Sequence, residues 1–235
     1  PIEILMPFLK TDTIKLYYEE HVQGEPLVLI AGLASHSKSW MNFLRPAAEK
    51  YRTIVFDNRG VGQSEVPNPP YSIEDMANDS LRLMDHLGIE KAHILGHSMG
   101  AFIGMNLAAR KPERVQKLIL ECNSLKLSDR NTWLFENLYH LLDNGLGMRE
   151  FTEQLLFWLL KPERFENSGF MDALIEYAIQ DPFPQTKQGF RGQIDALINY
   201  QMDNRIQNIT CETLIVRGSH DILNTREESI KLYDS

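Results

Sequence analysis

The chain has 235 residues, which suits one large domain or one domain with an insertion, and its formal net charge is −8. Its longest apolar runs are far shorter than the ~20 residues that a bilayer span needs. The sequence has no basic stripe of the kind that nucleic-acid binders carry. These features exclude a membrane span and argue against nucleic-acid binding.

Only two cysteines occur, Cys122 and Cys211, and we expect both to be free thiols because a disulfide framework would use more. The N-terminus has no basic region followed by an apolar stretch and a cleavage site, so no secretory signal is visible. We therefore expect a cytoplasmic protein.

Short apolar runs alternate with helical patterns from about residue 8 to 123. PFLK and TIKLYYEEHV are typical of an opening pair of strands, split by the turn residues Thr11 and Asp12. Four later runs are dense in apolar and β-branched residues and favour strands buried on both faces: PLVLIAG, TIVFDNRG, KAHILGHS and VQKLILECN.

Two helical patterns lie between these strands. Ser72 begins a capping signal with Asp75, and apolar residues then recur at helix spacing until Gly88. The segment from Met99 to Arg110 is the second helix. Alternating strands and helices predict a mostly parallel α/β sheet with right-handed crossovers, flanked by helices.

The pattern changes from about 125 to 205, where Leu, Phe, Trp and Tyr recur at helix spacing without a convincing strand. The strand pattern returns with TLIVRGSHD. We therefore predict a helical insertion between two strands of one sheet. The expected division is 1–124 for the first part of the core, 125–205 for the insertion and 206–235 for the second part of the core.

The string GHSMG places Ser98 between a predicted strand and a predicted helix. A G-x-S-x-G string alone is weak, but this context is the one that a nucleophilic serine requires. Gly96 and Gly100 lack Cβ atoms, so the tight turn can form, and the Ser98 hydroxyl then projects at the carboxyl edge of the sheet. An ordinary serine in a βα turn is the bland alternative.

A nucleophilic serine needs a base, a carboxylate that orients the base, and donors for the oxyanion. Asp221 follows the strand TLIV at the same edge, although an ordinary turn aspartate would fit RGSHD too. Glu121 is the weaker candidate for the acid. The backbone N–H groups of Met99 and Leu33 are the expected oxyanion donors, with Gly32 allowing the loop to bend.

Five ordered segments, AGLASHSKSW, FDNRGVGQS, GHSMG, ARKPERVQKLIL and TLIVRGSHD, resemble the α/β-hydrolase fold family, in its capped esterase, lactonase and C–C hydrolase branch. The resemblance implies Ser98 as nucleophile, Asp221 as acid, and Leu33 and Met99 as the oxyanion hole. It makes the insertion a helical cap, and makes DNRGVGQS a structural turn. A dinucleotide loop is rejected because the third glycine is missing.

The chain departs from the family in two places. Ala31 stands where many relatives have histidine, which removes an anchoring side chain but no N–H donor. The family's catalytic histidine follows the acid by one more helix and strand, whereas this chain ends at Ser235. We therefore expect a C-terminally shortened form that lacks its last helix and strand, is inactive as it stands, and can associate through an exposed sheet edge.

No other histidine is a good substitute for the missing base. His97 cannot curl back to the Ser98 hydroxyl, and His220 should point away from Asp221. His36, in the loop over the pocket, is the only remote alternative. The remaining histidines are interpreted as surface or strand-end residues: His21, His86, His93 and His140.

The predicted function is a serine hydrolase that cleaves a small ester or lactone through an acyl-serine intermediate, without cofactor or metal. The alternatives are C–C bond hydrolysis or cofactor-free perhydrolysis on the same residues, and a non-catalytic ligand-binding relative. Four residues are expected in the pocket of the small-molecule substrate: Gly32, His36, Trp133 and Trp158. Plain core packing is the alternative for each tryptophan.

Overall fold

The computed structural model describes residues 4–5 and 8–235. The described strands are β1 (Ile4–Leu5), β2 (Phe8–Lys10), β3 (Lys15–His21), β4 (Glu25–Ile30), β5 (Tyr51–Phe56), β6 (Ala92–His97), β7 (Val115–Glu121) and β8 (Glu212–Val216). The helices are α1 (Met41–Ala48), α2 (Ile73–His86), α3 (Met99–Arg110), α4 (Asp129–Asp143), α5 (Met148–Leu159), α6 (Ser168–Ile179), α7 (Lys187–Ile198) and α8 (Arg226–Tyr233).

The strands form a sheet in the order β1-β3-β5-β4-β6-β7-β8, with β2 paired to β3 as well. Strand β3 pairs antiparallel with β1, β2 and β5. Pairing is parallel from β5 through β4, β6 and β7 to β8. The predicted mostly parallel sheet is therefore confirmed, and the predicted opening pair of strands is found as β2 and β3, which pair antiparallel.

Helices cover both faces of the sheet, and β4 shows why. Val28 and Ile30 belong to the large core cluster that includes buried residues of α2 and α3. Leu27 and Leu29 point the other way, into a smaller cluster with Trp40 and with Ala47 of α1. Since alternate residues of a strand face opposite sides, a continuous apolar run is what two covered faces require.

The capping signal before α2 forms as predicted. The Ser72 hydroxyl accepts a hydrogen bond from Asp75 N–H at 3.1 Å, and the Asp75 carboxylate accepts one from Ser72 N–H at 2.9 Å. The helix thus begins with two of its free N–H groups satisfied.

Helices α4 to α7 lie between β7 and β8, so the insertion is helical as the periodicity indicates. Outside the named strands of the described chain, an isolated bridge joins Lys126 and Gln201 at the base of this segment. Helix α4 packs against α7 and α5, and α5 packs against α6. The division at residues 125 and 205 stays a prediction.

Strand β8 pairs with β7 alone among the described strands. Leu214 and Val216 of this strand are 56% and 37% exposed. Association through this edge stays a prediction. Across the described residues, every helix falls short of the length and apolarity needed to cross a bilayer.

Candidate active site

Ser98 occupies the single residue between β6 and α3, and its backbone conformation is strained. Its φ is 52° and its ψ is −117°, a region that residues with a Cβ rarely adopt. Its N–H donates to the carbonyl of Glu121 on the neighbouring strand β7 at 2.8 Å. The sharp turn leaves the side chain half-buried at the carboxyl edge of the sheet.

The two glycines of GHSMG are required by packing within the turn. A Cβ added to Gly96 would lie 2.2 Å from the carbonyl oxygen of Gly100. Since real Cβ contacts are essentially never that short, position 96 admits only glycine without a backbone shift. The sequence pattern thus has the steric origin expected for a serine held between a strand and a helix.

The loop after β4 passes directly beside Ser98. A Cβ built on Gly32 would lie 3.3 Å from the Cβ of Ser98. Leu33 follows in this loop, and Met99 is the first residue of α3. Within the described part of the chain, the N–H groups of Leu33 and Met99 donate to no other residue, and their role as oxyanion donors stays a prediction.

The motif DNRGVGQS binds the segment around that loop through side-chain hydrogen bonds. The buried Asp57 carboxylate accepts hydrogen bonds from the N–H groups of Ser37 at 2.7 Å and Gln63 at 2.8 Å. The buried Asn58 donates its side-chain amide to the carbonyl of Ala31 at 3.0 Å. These three hydrogen bonds are consistent with a structural role for this turn.

Asp221 lies just after β8 and takes part in a local turn. One carboxylate oxygen accepts from the N–H groups of Leu223 and Asn224, each at 2.9 Å. Cys122 follows β7 directly, and the Asp221 carboxylate is near enough to its thiol to act on its pKa. Burial, together with the Asp221 carboxylate, raises the pKa of Cys122 to about 12. The hydrogen bonds of the Asp221 carboxylate are thus those of its own turn, and its negative charge also acts on the thiol at the end of β7.

Glu121, the weaker candidate for the acid, is engaged by a different partner. Nδ1 of His97 lies 3.2 Å from its carboxylate, and this hydrogen bond lowers the pKa of Glu121. The contact orients the His97 ring toward Glu121 at the end of β7.

His36 lines a cavity between the core and the insertion. The cavity measures about 290 Å³, and residues of α5 and α6 form its other wall. His36 Nε2 lies 2.6 Å from the carboxylate of Asp181, which follows α6. Burial would raise the pKa of Asp181, but hydrogen bonds from Phe183 N–H and His36 outweigh it and lower that pKa.

All seven histidines lie in the described part of the chain, and none of them forms a hydrogen bond with the Ser98 hydroxyl. His220 is exposed and contacts Ser219 instead. The described residues also contain no cluster of three His, Cys, Asp or Glu side chains that could hold a metal ion.

The two tryptophans predicted in the pocket lie on the insertion, away from the cavity beside His36. Trp133 is 79% exposed and lines a surface cavity along α4. Trp158 is half-buried, with the Arg130 guanidinium 5.9 Å from its ring. Their role in substrate binding stays a prediction.

A family model and a sequence relative both match most of this chain. The family model for the alpha/beta hydrolase fold matches residues 25–234. A protein of Azorhizobium caulinodans named "Putative carbamate hydrolase RutD" is 38% identical over 220 residues, which cover 93% of this chain and 82% of that protein.

Solved structures share the same fold. The enol-lactonase from Burkholderia xenovorans LB400 superposes with a TM-score of 0.86 at 24% identity, covering 97% of this chain and 87% of that one. A hydrolase from Pseudomonas aeruginosa gives a TM-score of 0.87 at 23% identity, covering 98% and 86%. At these identities the likeness shows the fold alone.

Proposed function

The chain belongs to the alpha/beta hydrolase fold family, and from that premise we propose that it is a serine hydrolase that cleaves a small ester or lactone through an acyl-serine intermediate. The observation that carries the proposal is the strained Ser98, at φ 52° between the end of β6 and the start of α3. Backbone strain of this kind persists only where the surrounding structure holds it, and it is concentrated at functional sites.

The chemistry follows the charges that develop during acyl transfer. The Ser98 oxygen attacks the substrate carbonyl and gives up its proton to a base, while the carbonyl oxygen becomes an oxyanion. The free N–H groups of Leu33 and Met99 are the donors for that oxyanion, and losing one such donor costs on the order of 3 kcal/mol. The alcohol then leaves with the proton, and water releases the acid.

The base in this mechanism is a histidine oriented by Asp221. A neutral imidazole takes the serine proton, and a carboxylate bound to its other nitrogen fixes the ring and stabilises the imidazolium. The described residues place no imidazole on Ser98, so this step rests on the chemistry that a serine nucleophile requires.

A carbamate is the second candidate substrate class. It is favoured by the name of the Azorhizobium caulinodans relative, which is 38% identical to this chain. Attack by Ser98 on a carbamate would use the same oxyanion donors, with an amine or alcohol as the leaving group. C–C bond hydrolysis and perhydrolysis would also use this machinery, so a substrate panel is needed.

The direct test uses a fluorophosphonate probe, which labels activated serines, on the full gene product. We expect labelling that is lost in Ser98→Ala and kept in Ser80→Ala, a control in which a buried serine of α2 bonded to the Met76 carbonyl is changed. Labelling that survives Ser98→Ala would overturn the proposal.

The substrate class is tested by turnover of p-nitrophenyl acetate, p-nitrophenyl butyrate, a five-membered lactone, an aryl carbamate and a vinylogous diketone. We expect Ser98-dependent turnover of the esters or the lactone. Turnover of the diketone alone would reject the ester and lactone assignment and leave the nucleophile in place.

A further inference from the structure

Gln193, on the helical insertion, makes two side-chain hydrogen bonds to the core. It lies in α7, and its side chain is fully buried at 0% exposed. Its carbonyl oxygen accepts from Ala34 N–H at 3.0 Å, and its amide donates to the carbonyl of Arg59 at 2.9 Å. One buried side chain therefore pairs with two backbone groups of the core, the part-buried N–H of Ala34 and the buried carbonyl of Arg59.

The first of these contacts acts on the loop that lies beside Ser98. Ala34 has φ 56°, in the left-handed region that alanine rarely adopts. It directly follows Leu33, whose N–H is free. Because the two residues share a peptide unit, fixing the N–H of Ala34 also fixes the carbonyl of Leu33 and restrains how its amide can turn.

The second contact ties Gln193 to a rigid part of the core. The Arg59 guanidinium forms two hydrogen bonds to the buried carboxylate of Asp79, at 2.7 and 2.8 Å. Bidentate pairs of this kind fix geometry as well as charge. The carbonyl that Gln193 binds therefore belongs to a residue that has little freedom to move.

Helix α7 itself is pressed against the same turn. A Cβ on Gly189 would lie 1.9 Å from the carbonyl oxygen of Gly60, and one on Gly192 would lie 2.4 Å from the Tyr71 ring. Two glycines one turn apart thus let the helix backbone approach the core closely. Gln193 follows Gly192 directly, so this close approach brings its amide within reach of the loop.

We propose that Gln193 is a positioning residue that sets the Leu33 N–H for the oxyanion, so that docking of α7 on the core and the geometry of the oxyanion hole are coupled. The inference rests on the proposed serine hydrolase function. Gln193 acts through the loop and touches no reacting atom. Misplacement of a catalytic donor by about 1 Å can cost on the order of 100-fold in rate.

The test is Gln193→Met, a variant of similar length that can make neither hydrogen bond. Two changes on the same helix serve as controls. Gln188→Met removes contacts of α7 to Val66, Pro67 and Asn68 without touching the loop. Ile194→Val removes one methylene from a fully buried neighbour and reports what loosened packing alone does.

In the full gene product we measure kcat and KM with p-nitrophenyl butyrate, and the inhibition constant of butylboronic acid, whose tetrahedral serine adduct uses the oxyanion donors. For Gln193→Met we expect kcat to fall by about 10- to 100-fold, KM to change by less than about 3-fold, and boronate binding to weaken in parallel with kcat. Both controls should stay within about 3-fold of the wild type in all three quantities.

Gln193→Asn provides a second variant if the methionine protein does not fold. Its amide is one methylene too short to reach Ala34 and Arg59 together, so we expect a fall in kcat of at least about 5-fold with KM preserved. A kcat and boronate affinity equal to the wild type in a folded Gln193 variant would overturn the inference but leave the proposed function intact. A wild-type full gene product whose Ser98 is not labelled by fluorophosphonate would overturn both.

Discussion

The backbone of Gly100 lies against the carbonyl of Ile30, the last residue of β4. A Cβ on Gly100 would sit 1.9 Å from that oxygen and 2.8 Å from the carbonyl oxygen of Ala31. Helix α3 can therefore begin immediately after Ser98 only because position 100 has no side chain. The nucleophile turn and the loop beside it are packed as one unit.

The first prediction follows from this contact. Gly100→Ala forces a backbone shift and should lower the free energy of unfolding by about 3 kcal/mol. Gly169→Ala, in α6, is the matched control because its Cβ would meet only ordinary contact, 3.6 Å from Asn167. The control should change stability by less than about 1 kcal/mol, and urea unfolding measures both. Equal midpoints for the two variants would contradict the prediction.

The strain at Ser98 predicts that removing its Cβ stabilises the protein. Ser98→Ala keeps the Cβ at φ 52°, whereas Ser98→Gly removes it. We expect the glycine variant to be about 1–2 kcal/mol more stable than the alanine variant, and both to be inactive. Thermal or urea unfolding of the two proteins, side by side, measures the difference. An alanine variant as stable as the glycine variant would show that this turn stores no strain.

The fold was predictable from the sequence because a strand that is buried on both faces has a continuous apolar sequence. Leu27, Val28, Leu29 and Ile30 form a continuous apolar run, and the structure divides them between two core clusters. The turn at Ser98 was predictable for a related reason. Its packing leaves no room for a Cβ at positions 96 and 100, so the sequence must have glycine on either side of the serine. The Ser72 cap is equally local, and it forms as expected.

Contacts between segments that are distant in sequence could not be predicted from local sequence patterns. Gln193 reaches Ala34 across 159 positions, and His36 reaches Asp181 across 145. The sequence around each residue gives no indication of its partner. A single glutamine or aspartate in the insertion is most often a solvated residue, so neither Gln193 nor Asp181 is distinguished from its neighbours. Helix α1 was also missed, since it is short and contains Pro46, which normally argues against a helix interior.

The two candidates for the acid make different predictions. Asp221→Asn should lower kcat by on the order of 10⁴-fold, because an amide holds the base in the wrong tautomer. Glu121→Gln should lower it by less than about 5-fold, since Glu121 already pairs with His97 at 3.2 Å. Steady-state kinetics of both variants on one ester decides between them. A large loss in Glu121→Gln with little loss in Asp221→Asn would assign the acid to β7.

The pair of His97 and Glu121 also predicts a pH dependence of stability. The hydrogen bond from His97 lowers the pKa of Glu121 from its ordinary value of 4.5 in the folded state. A lowered pKa means that this carboxylate stabilises the fold above pH 4.5, and that the stabilisation is lost as the pH falls through the folded value. The difference in urea midpoint between wild type and Glu121→Gln should therefore shrink steadily below pH 4.5. A difference that grows on acidification would refute the sign.

The last prediction concerns the Cys122 thiol, whose pKa is raised to about 12 by burial and by the Asp221 carboxylate. Because the thiolate is the reactive form, Cys122 should react with iodoacetamide at pH 8 far more slowly than Cys211, and peptide mass spectrometry can follow both. In urea the two rates should become equal. Removing the negative charge in Asp221→Asn should lower the thiol pKa and speed alkylation of Cys122, while Cys211 stays unchanged. Equal rates for Cys122 in the native wild type and in Asp221→Asn would mean that the carboxylate does not act on the thiol.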